Sequence, residues 1–585
     1  MKFATALLAF VFLFSSSALA QDDVQVAPKH EFRSAWIATA VGLDFPRGST
    51  ASQQEANLRS MIRNMKTMGM NAVVFQISPR GDAYYQSDRL PWARRLSGTM
   101  GADPGWDPLA VAIEESHRLG MELHAWYNVG KIGDIGSADL QDSGEPRHLY
   151  FTDPELIVEI GSEVWLNPGI PEAREWAVAN VMEIVRNYDV DAVHFDFIRY
   201  GASSYPGDSQ LRDEHDPGMN ISAWRRENIT RFATAAYDSI KAEKWWVKVG
   251  SAPLGHYKES GGWGANLAYY QVYQDSRRWL DEGKHDYLAP QIYWGIGSSS
   301  DAPQFEWLVD DWMGETYGRH IYVGTAPYKP NVLSELPAQI DTTRAHGAHG
   351  QVHFRYDFIS SAPFGGRYAT EAVVPPMQWL NMVAPPAPEA VAYQWSETDT
   401  TLLEISWDAP EVDEAAVPAR FFAVYRVESE VEPDFEEVVQ NPANLFSVTG
   451  ETFVTDRPLA DATFHYYVTS LSPNNVESSA EASVVVEGRV VSNERETPVA
   501  FELRQNYPNP FNPTTAIEFA VERPGEVSLR VFNVLGQEVA VLVNGTIPAG
   551  SHTAQFDADG LSSGTYFYVL EAGGRTATRA MMLLK

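Results

Sequence analysis

The stretch Ala192-Val193-His194-Phe195-Asp196-Phe197 decides the fold. Six residues rich in β-branched and aromatic side chains read as a strand. Before it, a helix opens near Pro171 and sets Trp176, Ala177, Val181, Ile184, Val185 and Tyr188 on one face. After it, a second helix does the same with Ile229, Phe232, Ala233, Ala236 and Ile240, and the next strand is Val247-Lys248-Val249-Gly250-Ser251. Helical spacing alternating with short apolar runs is the pattern of parallel strands joined by helices.

The same alternation extends both ways. Upstream lie a strand at Ser34 to Ala38, a helix carrying Leu58, Met61, Ile62 and Met65 that stops at Gly69, and a strand at Ala72 to Ile77. A helix opens at Asp107-Pro108, an N-cap followed by proline in the first turn, and ends at Gly120. The third strand is Leu123-His124-Ala125-Trp126. Downstream come Tyr287 to Tyr293, Ile321 to Thr325 and Gln351 to Phe354. Eight strands in βα order between Glu31 and about Pro376 predict an α/β fold, a (β/α)8 TIM-type barrel.

Beyond residue 383 the character changes. Pro385-Pro386-Ala387-Pro388 reads as a stiff linker, and Leu402 to Trp407, Phe421 to Val427 and Phe464 to Ser470 alternate as strands without a convincing helix. We expect a barrel over 21–383, an all-β sandwich over 384–490, a linker over 491–500 and a second all-β sandwich over 501–585.

The first 20 residues read as a secretory signal: Lys2, an apolar run from Ala6 to Phe14, and Ala18-Leu19-Ala20 as a small-residue cleavage site. The run is shorter than the roughly 20 residues that span a bilayer, so no transmembrane segment is expected. The 585-residue chain has 44 basic and 77 acidic residues, a net charge of −33, which opposes binding to nucleic acid and anionic membranes. It has no cysteine, which excludes disulfides and thiol nucleophiles. Its 17 Trp and 26 Tyr offer ring faces to sugars, although most such residues serve as core.

A barrel of this type builds its active site at the C-terminal ends of its strands. Asp196 is the leading catalytic candidate. A carboxylate in a strand between two phenylalanines is costly unless partnered, and His194 and Arg199 are at hand. The alternative is a structural ion pair. Glycoside hydrolysis needs two carboxyl groups across the scissile bond. Asp82 is the first choice for the second, a turn cap being its other reading, with Glu122, Glu163 and Asp357 behind it. The substrate-binding candidates are Trp36, Gln76, Arg80, His124, Tyr127, Asn128, Asn167, His194, Arg199, Gln291, Tyr293 and Trp294. His346, His349 and His353 cluster loosely without matching carboxylates, so neither a metal nor a cofactor is expected.

Several segments resemble the bacterial glycosyl-hydrolase-like family ten. They are Arg33 to Ala38, Gln76 to Tyr85, Pro91-Trp92, Asp107-Pro108-Leu109, His124 to Asn128, Trp165 to Gly169, His194-Phe195-Asp196 and Tyr287 to Trp294. The resemblance implies a TIM-type barrel and activity on glycans, in some members cell-wall glycan stripped of peptides. Many members carry a second Asp after the equivalent of Asp196. Here that position is Phe197, expected to point away from the barrel interior. The missing Asp favours the alternative of a non-catalytic carbohydrate-binding surface protein. A structural adhesin built on the β domains is a third reading.

Residues 387–487 resemble a fibronectin type III domain, with Trp407, Tyr425 and Tyr467 as core aromatics. Leu503 to Thr515, Val531 to Gly536 and Gly564-Thr565-Tyr566 resemble the C-terminal sorting domain of type IX secretion. That likeness implies the Sec and type IX machineries as partners, and a product released or fixed to surface lipopolysaccharide.

Overall fold

The computed structural model describes residues 27–258, 267–297, 304–359, 364–411, 416–460, 462–479, 483–488, 501–523, 525–547 and 550–584. The expected signal peptide (1–20) and linker (491–500) lie outside the described residues. The chain divides into two compact units, 1–489 and 490–585.

The first unit holds the barrel. Its strands are Phe32–Ile37, Ala72–Ser78, Glu122–Asn128, Ala192–Asp196, Lys248–Ser251, Tyr287–Leu288, the two segments His320–Ile321 and Val323–Thr325, and Gly350–His353. All pair in parallel, in sequence order. The two short segments flank Tyr322 and are halves of the seventh strand. One half pairs with the sixth strand and the other with the eighth. The eighth pairs with the first, Phe32 opposite Gly350, which closes the barrel.

Strand alternation sorts the side chains into two layers. Leu123, Ala125 and Tyr127 face outward into the large core shared with the helices. Trp126 faces inward and packs with Trp36, Val74, Tyr287 and Tyr322 along the barrel axis. The helices begin where local chemistry satisfies their free N–H groups. Asp107 accepts from Ala110 N at the start of Pro108–Arg118, and Asn220 accepts from Ser222 N and Ala223 N ahead of Ile221–Glu243. A small antiparallel sheet of Lys131–Asp134, Ile157–Ile160 and Glu163–Leu166 follows the third strand. Its strands are too short and too polar to stand out in the sequence.

Residues 389–487 form a β-sandwich within the same unit. One sheet has three strands (Glu389–Trp395, Leu403–Asp408, Phe453–Asp456) and the other four (Leu445–Thr449, Phe421–Glu428, Thr463–Leu471, Ser483–Glu487). Trp407 is buried between the sheets with Phe422, Val424, Tyr466 and Val468. Tyr425 and Tyr467 are buried too, but on the opposite face of the four-stranded sheet, in a cluster that includes Val373 from the end of the barrel. All three expected core aromatics are thus buried, the two tyrosines on the face of the sheet opposite Trp407. A short helix, Phe435–Gln440, capped by Asp434, departs from the all-β expectation.

The second unit has a three-stranded sheet (Glu502–Leu503, Thr514–Val521, Gly550–Asp557) and a four-stranded sheet (Glu538–Ile547, Gly525–Asn533, Gly564–Ala572, Arg575–Leu583). Ile517, Phe519, Leu529, Val531, Tyr568 and Leu570 fill the space between them. Among the described residues of the chain, no helix is long and apolar enough to cross a membrane.

Candidate active site

A cleft of about 240 Å³ opens at the C-terminal ends of the barrel strands. Trp36, Trp126, Tyr293 and Phe354 form aromatic walls, and Gln76, Arg80, Asn128, Asp196, Arg199 and Gln291 supply the polar groups. Among the described lining residues, Asp196 is the only carboxylate.

Asp196 ends the fourth strand and is buried. Its Oδ1 accepts from the Phe197 amide (2.6 Å) and from Gln291 Nε2 (3.4 Å). Burial raises its pKa above the ordinary carboxylate value, against the opposing pull of Arg199, the Phe197 amide, Arg80 and Gln291. Arg199 acts on it by charge at longer range. Its guanidinium lies over the Phe197 ring, 4.7 Å from the centroid, and Nη1 is buried without a hydrogen-bond partner among the described residues.

Phe197 corrects the expectation that it points away. The strand stops at Asp196, so alternation no longer applies. Phe197 takes a left-handed backbone (φ 50°), which non-glycine residues adopt only under constraint, and it lines the cleft. Its ring packs edge-on against Trp165 from the small sheet (5.7 Å). Gly201 makes room for that indole: a β-carbon there would come within 2.3 Å of the Trp165 ring.

The remaining polar groups are held from below and behind. Gln76 Oε1 accepts from the Thr39 and Ala40 amides (2.9 and 2.8 Å), and its Nε2 donates to Asn128 Oδ1 (3.3 Å). Asn128 Oδ1 also accepts from Trp126 Nε1 (2.9 Å). Arg80 is braced by Asp134 of the small sheet, Nε to Oδ2 2.8 Å.

Of the fourteen residues singled out in the sequence, Trp36, Gln76, Arg80, Asn128, Asp196, Arg199, Gln291 and Tyr293 line the cleft, and the other six do not. Asp82 is buried beneath Arg80, whose amide it accepts (Oδ1, 3.0 Å). It caps the turn, and burial lifts its pKa to about 6. Tyr127 falls on the outward face, where its hydroxyl accepts from Asn180 of the helix Pro171–Asn187 (3.2 Å). Asn167 accepts from the Gly169 amide and shapes a turn. Trp294 packs partly buried against the outer core. His194 does not partner Asp196. Its Nε2 accepts from Trp36 Nε1 (3.1 Å), and its Nδ1 meets the Tyr287 hydroxyl (3.0 Å). His124 lies deeper on the same axis, between Tyr287 and Glu122.

Of the carboxylates held in reserve, Glu122 is buried with Lys248. Asp357 pairs with Arg47 and Arg355, and Glu163 with Lys131. Sequence reasoning missed Trp126 and Phe354 as cleft walls. Trp126 was findable, since it shares a strand face with His124 and Asn128.

Residues 31–339 match the model of the family described as glycosyl hydrolase-like 10. The chain belongs to this family. Glycosyl hydrolase YngK of Bacillus subtilis is 33% identical over 482 residues, covering 77% of this chain and 92% of that one. Glycosyl hydrolase DigH of Escherichia coli K12 is 31% identical over 369 residues, 56% of this chain and 83% of that one. An α-L-fucosidase isoenzyme of Paenibacillus thiaminolyticus superposes with a TM-score of 0.39 at 16% identity, covering 58% of this chain and 49% of that one, too distant to carry an argument. Residues 505–583 match a secretion-system C-terminal sorting domain, which directs this member of the glycosyl hydrolase-like 10 family to secretion or the cell surface. Membership and the aromatic cleft together support a glycoside hydrolase type of function.

Proposed function

We propose that the protein is a secreted glycoside hydrolase acting on cell-wall glycan freed of its peptides, with Asp196 as the catalytic carboxyl. The observation that carries this reading is Asp196 itself, the one carboxylate among the described lining residues, with its pKa raised by burial. Burial shifts the group toward its protonated form, the direction that a general acid toward the leaving oxygen requires. A cleft with a single carboxyl fits substrate-assisted hydrolysis, in which a group on the sugar takes the second part. The N-acetyl groups of cell-wall glycan are of that kind. Removing the peptides also exposes carboxylates on alternate sugars, and the unpartnered Nη1 of Arg199 suits such an anion.

Asp82, buried under its turn, enters this proposal as a support for Arg80. Trp36, Tyr293 and Asn128 contact the sugar, while His124, His194, Tyr127, Asn167 and Trp294 support the walls. We further read 1–20 as a signal peptide for Sec export, 21–383 as the catalytic barrel and 384–490 as a fibronectin type III-like module. Residues 501–585 are read as a type IX sorting domain whose removal leaves the product free or bound to lipopolysaccharide.

The test is incubation of the full chain with peptide-free cell-wall glycan and with neutral β-glucans, the products being read by mass spectrometry. Cleavage of the first alone, lost in Asp196→Asn, is the expected result. The single carboxylate also favours a second reading, a non-catalytic glycan-binding protein. Tight glycan binding with no products would establish it in place of the first.

A further inference from the structure

A line of buried polar side chains runs down the barrel axis beneath the cleft. Trp36 Nε1 meets His194 Nε2 at 3.1 Å, and His194 Nδ1 meets the Tyr287 hydroxyl at 3.0 Å. That hydroxyl meets His124 Nδ1 at 2.8 Å, and His124 Nε2 meets Glu122 Oε2 at 2.8 Å. The other oxygen of Glu122 accepts from Lys248 Nζ (2.5 Å) and from Asn475 Nδ2 (2.6 Å). Trp36, His194, Tyr287, His124, Glu122, Lys248 and Asn475 are all buried. Gly250 makes the line continuous: a β-carbon there would sit 2.0 Å from the Tyr287 ring, so only glycine lets the phenol stand between the two histidines.

The chemistry of its ends fixes the direction of every bond. An indole N–H can only donate, and a carboxylate can only accept. His194 Nε2 must therefore be bare and Nδ1 protonated, so His194 donates to Tyr287. Tyr287 then donates to His124 Nδ1, and His124 carries its proton on Nε2, facing Glu122. Burial, with the neighbouring His124 and His285, pushes the His194 pKa well below its ordinary value, in keeping with a neutral ring.

The last donor, Asn475, belongs to the β-sandwich. It lies in the turn after Thr463–Leu471, where Pro473 O accepts from Lys248 Nζ (3.2 Å) and Asn474 exchanges two bonds of 3.0 Å with the Met377 backbone. That turn plugs the N-terminal end of the barrel.

We propose that the β-sandwich braces the glycan cleft from the opposite end of the barrel: Asn475 holds Glu122, and Glu122 sets a one-way hydrogen-bond chain through His124, Tyr287 and His194 that positions the Trp36 indole. Glu122 and Asn475 are then positioning residues. The role of Trp36 as a sugar platform rests on the proposed function; the chain beneath it does not.

Glu122→Gln separates this role from plain packing. Lys248, Asn475 and His124 all present donors to position 122, so the amide NH₂ has no acceptor there unless one of them changes. His124 can do so by moving its proton to Nδ1. Tyr287 must then donate to His194 Nδ1, and His194 Nε2 becomes protonated and faces the indole N–H. The chain reverses and Trp36 loses its acceptor.

The experiment uses the full chain labelled with ¹⁵N in histidine and tryptophan, with Trp36→Phe to assign the indole signal. In the parent, His194 should show the Nδ1–H tautomer and His124 the Nε2–H tautomer. Glu122→Gln should invert both and shift the Trp36 indole signal. Asn475→Leu, which keeps volume but removes one donor, should shift the same signal and weaken binding of peptide-free glycan roughly tenfold, as for a lost hydrogen bond to a buried charge. Parent tautomers opposite to these would overturn the proposal. So would folded variants with lowered melting temperatures but unchanged Trp36 signal and glycan binding. The tautomers and the indole signal need no substrate. A protein that cleaves no glycan but shows them refutes the proposed function and leaves the positioning chain standing.

Discussion

Replacing Lys248 by methionine tests how the barrel tolerates charge at its base. Lys248 and Glu122 have side-chain exposures of 0% and 2%, and Nζ lies 2.5 Å from Oε1. Burial alone would raise the Glu122 pKa, but Lys248 and His124 outweigh it and hold it below the ordinary value. Taking away the ammonium leaves a buried carboxylate supported only by His124 and Asn475. Breaking a buried pair from one side costs about 3–5 kcal/mol, because the survivor's charge stays desolvated. That is a large share of the roughly 5–15 kcal/mol that holds a typical domain together. The assay is urea unfolding of the full chain, followed through the transition of the unit that contains the barrel. Lys248→Met should lower its stability by about 3–5 kcal/mol at neutral pH, and Glu122→Gln added to it should recover about 2 kcal/mol or more. The sign with pH follows from the lowered Glu122 pKa. Its stabilisation is present above the unfolded-state value and lost as pH falls through the folded value, so parent and variant should converge in acid. A single variant within about 1 kcal/mol of the parent, or a double variant no better than the single, would refute the reasoning.

Three further outcomes are expected. Asp82, with its folded pKa raised from 3.8 to about 6, favours the folded state below pH 3.8 and loses that contribution as pH rises to about 6. Asp82→Asn keeps an acceptor for the Arg80 amide and should therefore stabilise the protein at pH 7 to 8, by at most about 3 kcal/mol, and not at pH 3.5; this is read from denaturant midpoints at both. A chain ending at residue 383 loses the Asn475–Glu122 and Pro473–Lys248 bonds and the Arg420–Asp189 pair, and it uncovers Val373. It should fail to unfold cooperatively in calorimetry, and a truncated barrel that melts like the full chain would contradict this. Arg199→Met should weaken binding of carboxylated glycan about tenfold and leave neutral glucans within twofold, as measured by calorimetry at low and high salt.

The residues Ala192 to Asp196 show how far the sequence reached. Their composition, and the helical faces on either side, placed a parallel strand and put Asp196 at the end where barrels do chemistry. Trp36, Gln76, Arg80, Asn128, Gln291 and Tyr293 came with it for the same reason: each lies in the last residues of a strand or in the segment just after it. The errors were errors of direction. Tyr127 was chosen beside Asn128, although neighbours on a strand face opposite ways. Asp82 looked available to substrate until the turn closed over it.

By itself, then, the sequence determined the eight-stranded barrel, the β domains after it, the sorting tail and the strand ends that carry the site, because all of these follow from short-range periodicity and motif. Only the tertiary structure decided what meets across the barrel. Phe197 turns into the cleft because its strand has ended. Asp196 stands as the one carboxylate among the described cleft residues, and Trp36 is joined through three side chains to Glu122, which in turn bonds Asn475, 353 residues beyond Glu122 along the chain. Contacts of that kind leave no local signature, since each depends on closure of the barrel and on the sandwich docking beneath it.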